Sequence, residues 1–228
     1  MTRFCLTLWI ALACTATLLA TQPRSRVEVT TSETIAFSPG GAIRIDDSFG
    51  KLHVEGWDRD EVELKVTRRT HRRYEMEDEW KARQNLQRIT VEATRWSRDL
   101  HIVTRFPNPS VFHPLGGRSN LDMDYRLMVP RKANLHIRHS IGEVEVRGVS
   151  GELNVTNKVG EVALRLPDTG EYNIRAQAKI GDVNADFHGR SRRSHLIGAV
   201  FDMPNRHGGT RVYAYVGIGE VRIARWTQ

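Results

Sequence analysis

The chain has 228 residues and a formal net charge of +7, with 39% hydrophobic and 27% charged residues. This is the composition of an ordinary soluble protein with one sizeable domain or two small ones, which excludes a chain too polar to bury a core. The basic excess is nearly all arginine and favours anionic partners, although arginine and glutamate alternate along most of the chain as on a solvated surface.

The first residues have the layout of a secretory signal. Arg3 is followed by an apolar run from Phe4 to Ala20, which gives the positive end, apolar middle and small residue near the cut of an export signal. We expect residues 1–21 to be removed, with cleavage after Ala20 or Thr21. A retained anchor is the alternative, although the run is slightly short for a bilayer span of about 20 residues. No later segment is that apolar, so the rest is expected to be soluble.

Both cysteines lie inside this signal, at Cys5 and Cys14. The mature protein would therefore have no disulfide and no thiolate metal site. Ala11-Leu12-Ala13-Cys14 loosely resembles a lipoprotein cleavage box, so a lipid on Cys14 is a second alternative. Beyond the signal or that lipid no membrane contact is expected, and export predicts a periplasmic, extracellular or envelope-associated protein.

Residues 22–228 are expected to form a single β domain, beginning with N-terminal strands in 22–67. Gly41–Ile45, Gly50–Val54 and Glu61–Val66 alternate apolar and polar residues, as strands with one buried face do.

Residues 68–120 are predicted to form an insertion that contains a helix, strands and a loop. The segment from Arg72 to Arg88 contains mainly helix-forming residues and no turn residue. This pattern predicts one amphipathic helix. Strands are predicted at Ile89–Ala93 and Leu100–Arg105, followed by a Pro/Gly/Ser/Asn-rich loop from Pro107 to Asn120. Leu121–Val129 is the next predicted strand.

Residues 121–228 contain an internal repeat, the strongest pattern in the chain. An aliphatic residue followed by glycine recurs at Ile141-Gly142, Val159-Gly160, Ile180-Gly181, Ile197-Gly198 and Ile218-Gly219. These glycines are 18, 21, 17 and 21 residues apart, and a second series at Gly151, Gly170, Gly189 and Gly208 recurs every 19 residues. Each unit then holds two glycine-led strands whose apolar residues alternate, with glycine at the corners.

Stacking such units at the ~4.8 Å strand spacing builds a continuous core. The predicted fold is all-β, a right-handed β-solenoid or stacked two-sheet repeat with one inserted amphipathic helix. The predicted turn glycines are Gly142, Gly151, Gly160, Gly170, Gly181, Gly198 and Gly219. Stacking also aligns Glu143, Glu161 and Asp182 in an outward column of like charges, which is mildly destabilising. The expected counter-charges are Arg138, Arg147, Arg165 and Arg175, with a bound cation as the alternative.

The order of these segments resembles the bacterial "putative adhesin" domain of repetitive β proteins, related to the toast-rack group. The segments that carry the resemblance are Gly41–Ile45, Gly50–Trp57, Val62–Val66, Tyr125–Pro130 and Ile141–Val146 with its repeats. It spans about residues 35 to 225, implies an exported or envelope-associated protein, and offers no catalytic residues to carry over. The chain departs from the pattern at Gly189–His195, a basic stretch without apolar alternation that predicts a loop or an irregular edge.

No catalytic motif is found: the chain has no serine elbow, phosphate loop or zinc-helix motif. Asp122 and Asp124 share one strand face, which alone does not predict hydrolysis. His136 and His139 are three residues apart on a strand and should point to opposite faces. His188, His195 and His207 could converge, but they are interpreted as scattered surface histidines. No catalytic residue, metal or cofactor is predicted.

Two basic clusters are candidate sites for an anionic ligand, because arginine forks suit phosphate and carboxylate groups. One comprises Arg68, Arg69, His71, Arg72 and Arg73, and the other His188, Arg190, Arg192, Arg193 and His195. Export favours anionic envelope polymers, lipid headgroups or a protein partner over nucleic acid. The alternative is a solvated basic face.

The sequence therefore predicts a non-enzymatic, exported envelope protein, an adhesin-like or scaffold binding module that acts through its repeat surface. A carbohydrate-active lyase or glycosidase on a β-solenoid and an envelope stress-sensing or signalling domain are the alternatives. The ligand, the biological process and the oligomeric state are left open.

Overall fold

The computed structural model describes residues 24–38, 40–107, 121–194, 197–205 and 208–227. The predicted signal, both cysteines and most of the loop Pro107–Asn120 lie outside these ranges. The elements in chain order are β1 (Ser25–Ala36), β2 (Ala42–Trp57), β3 (Glu61–Tyr74), α1 (Met76–Gln87), β4 (Thr90–Trp96), β5 (Asp99–Arg105), β6 (Leu121–Pro130), β7 (Asn134–Arg147), β8 (Leu153–Pro167), β9 (Tyr172–Ala185), β10 (Arg190–Ser194), β11 (Gly198–Met203) and β12 (Thr210–Trp226). The all-β class with one helix is confirmed.

The pairs of short strands expected around each glycine are single long strands. In β8, Leu153, Val155 and Asn157 are buried before Gly160, and Val162, Leu164 and Leu166 after it. The buried positions are odd-numbered before Gly160 and even-numbered after it. Because of this shift by one residue, both halves of the bent strand direct their apolar side chains into the core.

The bend is required by the connection between β7 and β8. The two strands are parallel, with Leu153 beside Leu135, and only residues 148–152 join them. A straight strand of this length would extend roughly 50 Å, whereas five connecting residues span at most about 20 Å. Each long strand must therefore bend sharply at its glycine.

One core contacts both halves of the long strands. β5 pairs with the first half of β2, at Ile43–Asp46, and β6 pairs with the second half, at Lys51–Trp57. Thr104 of β5 and Tyr125 of β6 are nevertheless hydrogen-bonded at 2.8 Å and both are buried. A single apolar cluster includes side chains from both halves of every long strand.

The strand order is β1-β3-β6-β2-β7-β8-β12-β9-β11-β10, with the β4–β5 hairpin beside β2. The expected adjacency of successive repeats holds for β7 and β8. It changes at β9, because β12 lies between β8 and β9 in parallel with both. β1 and β10 are the two ends of this order, and β4 pairs only with β5. The right-handed solenoid and the stacked two-sheet repeat stay predictions.

A row of glycines crosses the sheet at the bend. Gly50, Gly142, Gly160, Gly219 and Gly181 are register neighbours in that order. At Gly160, φ is +129° and a Cβ would lie 1.9 Å from the carbonyl oxygen of Gly142. Both the left-handed backbone and the close approach of the next strand therefore require glycine.

The other predicted turn glycines lie elsewhere. Gly151 and Gly170 lie in the connections before β8 and β9, and Gly198 is the first residue of β11. None of these three has a positive φ.

The predicted helix is present but shorter, because β3 continues through Tyr74. α1 buries Ala82 and Leu86 against Val27 of β1, while Trp80 stays 55% exposed. Among the described residues no helix is both long enough and apolar enough to cross a membrane.

Candidate functional site

Two rows of side chains cross the outer surface of the sheet, on the first halves of β2, β7, β8, β12 and β9 and on the short strands β11 and β10. They alternate with the buried core residues and therefore point away from the core. The first row runs Arg44, His136, Asn154, Tyr213, Arg175, Asp202, Arg190, and the second Asp46, Arg138, Thr156, Tyr215, Gln177, Val200, Arg192. We call these two rows the outer face. Seven strands at ~4.8 Å spacing make it about 29 Å wide.

At the β2 end of the outer face an aspartate lies between an arginine and a histidine. Arg138 donates to both oxygens of Asp46, at 2.6 and 2.8 Å, and His101 Nε2 lies 2.7 Å from Oδ2. The hydrogen bond from Arg138 is the main reason that the pKa of Asp46 lies below its ordinary value. Asp46 is thus a poor general acid, since it stays ionised and its oxygens are occupied.

A pocket of about 420 Å³ lies beside this ion pair and is lined also by Arg44, His136, Asn154 and Thr156. Burial and the charge of Arg44 lower the pKa of His136. Its imidazole is therefore neutral at neutral pH and offers one donor and one acceptor. The pocket is suited to polar, hydroxyl-bearing groups.

The middle of the outer face is aromatic and uncharged. Tyr213 and Tyr215, both partly exposed, lie on β12 between Asn154 and Thr156 on one side and Gln177 on the other. Aromatic rings offer flat apolar faces to a ligand ring, and their hydroxyls, like the amides, form hydrogen bonds.

At the β10 end a second aspartate lies among arginines. Asp202 is the register neighbour of both Arg175 and Arg190. Its oxygens lie 3.9 Å from Arg175 Nε and 3.4 Å from Arg192 Nη2. The outer face carries five arginines, at positions 44, 138, 175, 190 and 192, and two aspartates, at 46 and 202. It thus has three more positive than negative charges, which favours an anionic ligand.

The structure separates the predicted basic site into two sides of the edge strand β10. Arg190 and Arg192 lie on the outer face, whereas Arg193 alternates to the other side and pairs with Ala199. His188 is exposed in the bend before β10. His195 and His207 lie outside the described residues. The basic stretch is thus a strand at the edge of the sheet.

The other basic cluster lies on β3 and is also divided. Arg69 forms ion pairs with Glu28 at 2.6 Å and with Asp122 and Asp124 at 3.9 and 3.8 Å. The two aspartates share one strand face, as predicted, but the arginine between them keeps them from acting as a free carboxylate pair. Arg68 points inward and is buried.

The predicted acidic column is present and contains a fourth member. Glu220 lies between Glu161 and Asp182 in register, because β12 lies between β8 and β9. Arg222 bridges Glu161 and Glu220 at 2.9 Å each, whereas Arg147 and Arg165 pair with Glu55 and Glu145. Arginine therefore supplies the counter-charge, as expected, but from a different position. Across the described ranges no cluster of three or more His, Cys, Asp or Glu could hold a metal ion.

Sequence reasoning identified only the β10 end of the outer face. Tyr213 and Tyr215 alternate with buried Val212, Ala214 and Val216, which marks them as outward. Nothing in the sequence places them near the basic stretch, since β9 and β11 bring the two together in space.

Three solved structures are similar in fold. A "putative cell adhesion protein" from Clostridium sporogenes is 17% identical, covers 87% of this chain and 100% of its own, and has a TM-score of 0.46. "Putative adhesins" from Bacteroides fragilis and Parabacteroides merdae are 8% and 12% identical, cover 86% and 68% of this chain and 97% and 67% of their own, and have TM-scores of 0.32 and 0.24.

These descriptions agree with the family that the sequence resembles. No protein-family model matches the sequence, and no curated protein matches it. At this level of identity and TM-score the likeness transfers no ligand and no activity to this chain.

Proposed function

We propose that the protein is a non-enzymatic, adhesin-like binding module whose outer face holds an extended anionic polysaccharide of the cell envelope. The observation that carries the proposal is the position of Tyr213 and Tyr215 between two groups of arginines on one flat surface. A chain of sugars bearing carboxylates would stack on the rings and place its charges on Arg44 and Arg138 at one end and Arg190 and Arg192 at the other.

The carbohydrate-active enzyme is the weaker alternative. Cleavage of a polysaccharide needs a pair of carboxyl groups, one of them protonated, flanking the bond. Both aspartates of the outer face are held by arginine, and the pKa of Asp46 is lowered rather than raised. This supports a surface that binds without reacting.

The location of the protein is part of the proposal. An export signal at residues 1–21, with a lipid at Cys14 or a retained anchor as alternatives, would bring the domain to the compartment where envelope polymers lie. We also propose that the connection from β7 to β8 is right-handed, because about 98% of crossover connections between parallel strands are right-handed.

Affinity chromatography on immobilised heparin, with polygalacturonate as a soluble competitor, tests the proposal. We expect retention that weakens steeply with salt and that is reduced in Arg190→Ser/Arg192→Ser. Arg193→Ser is the matched control, because it removes a charge of the same strand from the opposite side. Equal losses in both variants, or retention on neutral dextran as strong as on heparin, would refute a specific outer-face site.

A further inference from the structure

A buried arginine faces a cavity at the other edge of the sheet, on the inner side. Arg68 is 4% exposed and points inward with Leu64 and Val66 of the same strand. The cavity has a volume of about 580 Å³ and lies between β1, β3 and the start of β4. Its walls include Val29, Thr31, Val66, Ile89 and Val91.

The charge of Arg68 has no counter-ion within the described part of the chain. Its Nη1 donates to Thr31 Oγ1 at 3.1 Å, and its buried Nε has no hydrogen-bond partner among the described residues. The adjacent Arg69, on the outer side, has three carboxylates within 4 Å. A buried guanidinium without a counter-charge is unfavourable, and burial accordingly lowers the pKa of Arg68.

The cavity is open because the cover of this edge is incomplete. α1 covers the start of β1, where Ala82 and Leu86 bury Val27. Further along β1, Thr31 and Glu33 occupy inward positions beside Val66 and Leu64 but are exposed. A ligand can therefore enter beside the edge strand without displacing the core.

We propose that this cavity binds a small amphiphile, an aliphatic chain that carries one carboxylate or phosphate head. The head lies on the guanidinium of Arg68 and the hydroxyl of Thr31, and the chain packs along Val29, Val66 and Val91. Charge-assisted hydrogen bonds from an arginine fork to such a head are strong when they are shielded from water. The volume is within the range of small-molecule sites. Glu33 lines the cavity away from Arg68, which repels an anionic head from that end and sets the orientation.

Titration calorimetry of the full chain tests the proposal with three ten-carbon probes: decanoate, decyl phosphate and neutral methyl decanoate. We expect at least one anionic probe to bind about ten-fold or more tightly than the neutral ester, and acetate and inorganic phosphate to bind weakly. Preference for decanoate would support a free fatty acid as the natural ligand, and preference for decyl phosphate a lipid phosphate head.

Arg68→Met should abolish this preference, whereas Lys65→Met, which removes an exposed outward charge from the same strand, should leave it unchanged. The melting temperature of ligand-free Arg68→Met should equal or exceed that of the parent, because an unpaired buried charge is removed. If that variant does not fold, Val91→Trp narrows the cavity while Arg68 remains, and should weaken all three probes. Equal affinity for the ester and the anions, or unchanged binding in Arg68→Met, would overturn the proposal.

Discussion

His139 and Asn157 are register neighbours on β7 and β8, and each binds the carbonyl of a bend glycine on the preceding strand of the sheet. His139 Nε2 lies 3.2 Å from Gly50 O, and Asn157 Nδ2 donates to Gly142 O at 2.9 Å. Both side chains are buried. These polar side chains thus give the carbonyls of the bend hydrogen-bond partners inside the core.

Stability should fall in mild acid because of His139. Burial lowers its pKa from 6.5 to about 4, and with Ser48 Oγ 2.8 Å from Nδ1 the neutral ring donates from Nε2 and accepts at Nδ1. The unfolded chain binds a proton first, so the stabilisation is complete above about pH 6.5 and declines as the pH falls towards 4, by about 3 kcal/mol.

Urea unfolding between pH 7 and 4 measures this decline. His139→Asn should fold, because Asn157 makes the equivalent bond on the next strand, and should flatten the pH profile. His188→Asn, at an exposed position before β10, is the control. A profile as steep in His139→Asn as in the parent would assign the acid sensitivity to other groups.

Gly160→Val should destabilise the protein strongly. The side chain would have to adopt φ near +129° and would meet the carbonyl of Gly142, so we expect a loss of several kcal/mol. Lys158→Val places the same side chain on an exposed position of the same strand and should change the free energy of unfolding by less than about 0.5 kcal/mol. Similar melting temperatures for the two variants would contradict the role of the bend.

Arg222→Gln should make stability depend on salt. Without the bridge, Glu161 and Glu220 face each other across adjacent strands, and like charges there repel. We expect a lower melting temperature at low ionic strength that recovers when salt screens the repulsion. Arg165→Gln, whose arginine binds Glu145 instead, is the matched control. Adding Glu161→Gln to Arg222→Gln should restore the parent melting temperature at low salt.

The contact between β5 and β6 should be measurable as a coupling energy. Tyr125→Phe removes the hydroxyl that meets Thr104 at 2.8 Å, and Thr104→Val removes the partner. In a double-mutant cycle we expect a coupling of about 1 kcal/mol in the free energy of unfolding. A coupling near zero would mean that β5 and β6 do not contact each other through these groups.

The tyrosines of the outer face should contribute to polygalacturonate binding through aromatic contacts and not through ion pairs. Tyr213→Ala and Tyr215→Ala should each weaken binding of polygalacturonate by about two- to ten-fold, while the salt dependence stays that of the parent, because no ion pair is lost. Trp96→Ala removes an aromatic that is 82% exposed on β4 and should have no effect. Fluorescence titration at two salt concentrations separates these outcomes.

The all-β class, the helix and the glycines at the bends can be predicted from the sequence, since alternation and glycine spacing are local properties of the chain. It also showed that Glu143, Glu161 and Asp182 belong together, because they follow equivalent glycines. It could not show that Gly160 lies inside one continuous strand, since a bend and a turn both select glycine.

The order in which the strands pair is a property of the folded chain that the sequence pattern does not contain. β12 lies between β8 and β9, which puts Glu220 and Arg222 into the acidic column and Tyr213 and Tyr215 beside Arg175. Every strand of this repeat has a similar apolar face, so the alternation does not distinguish one neighbour from another. The sequence also could not predict that Arg68 points inward and is buried. Burial depends on what covers the edge strand and not on the pattern of the strand itself.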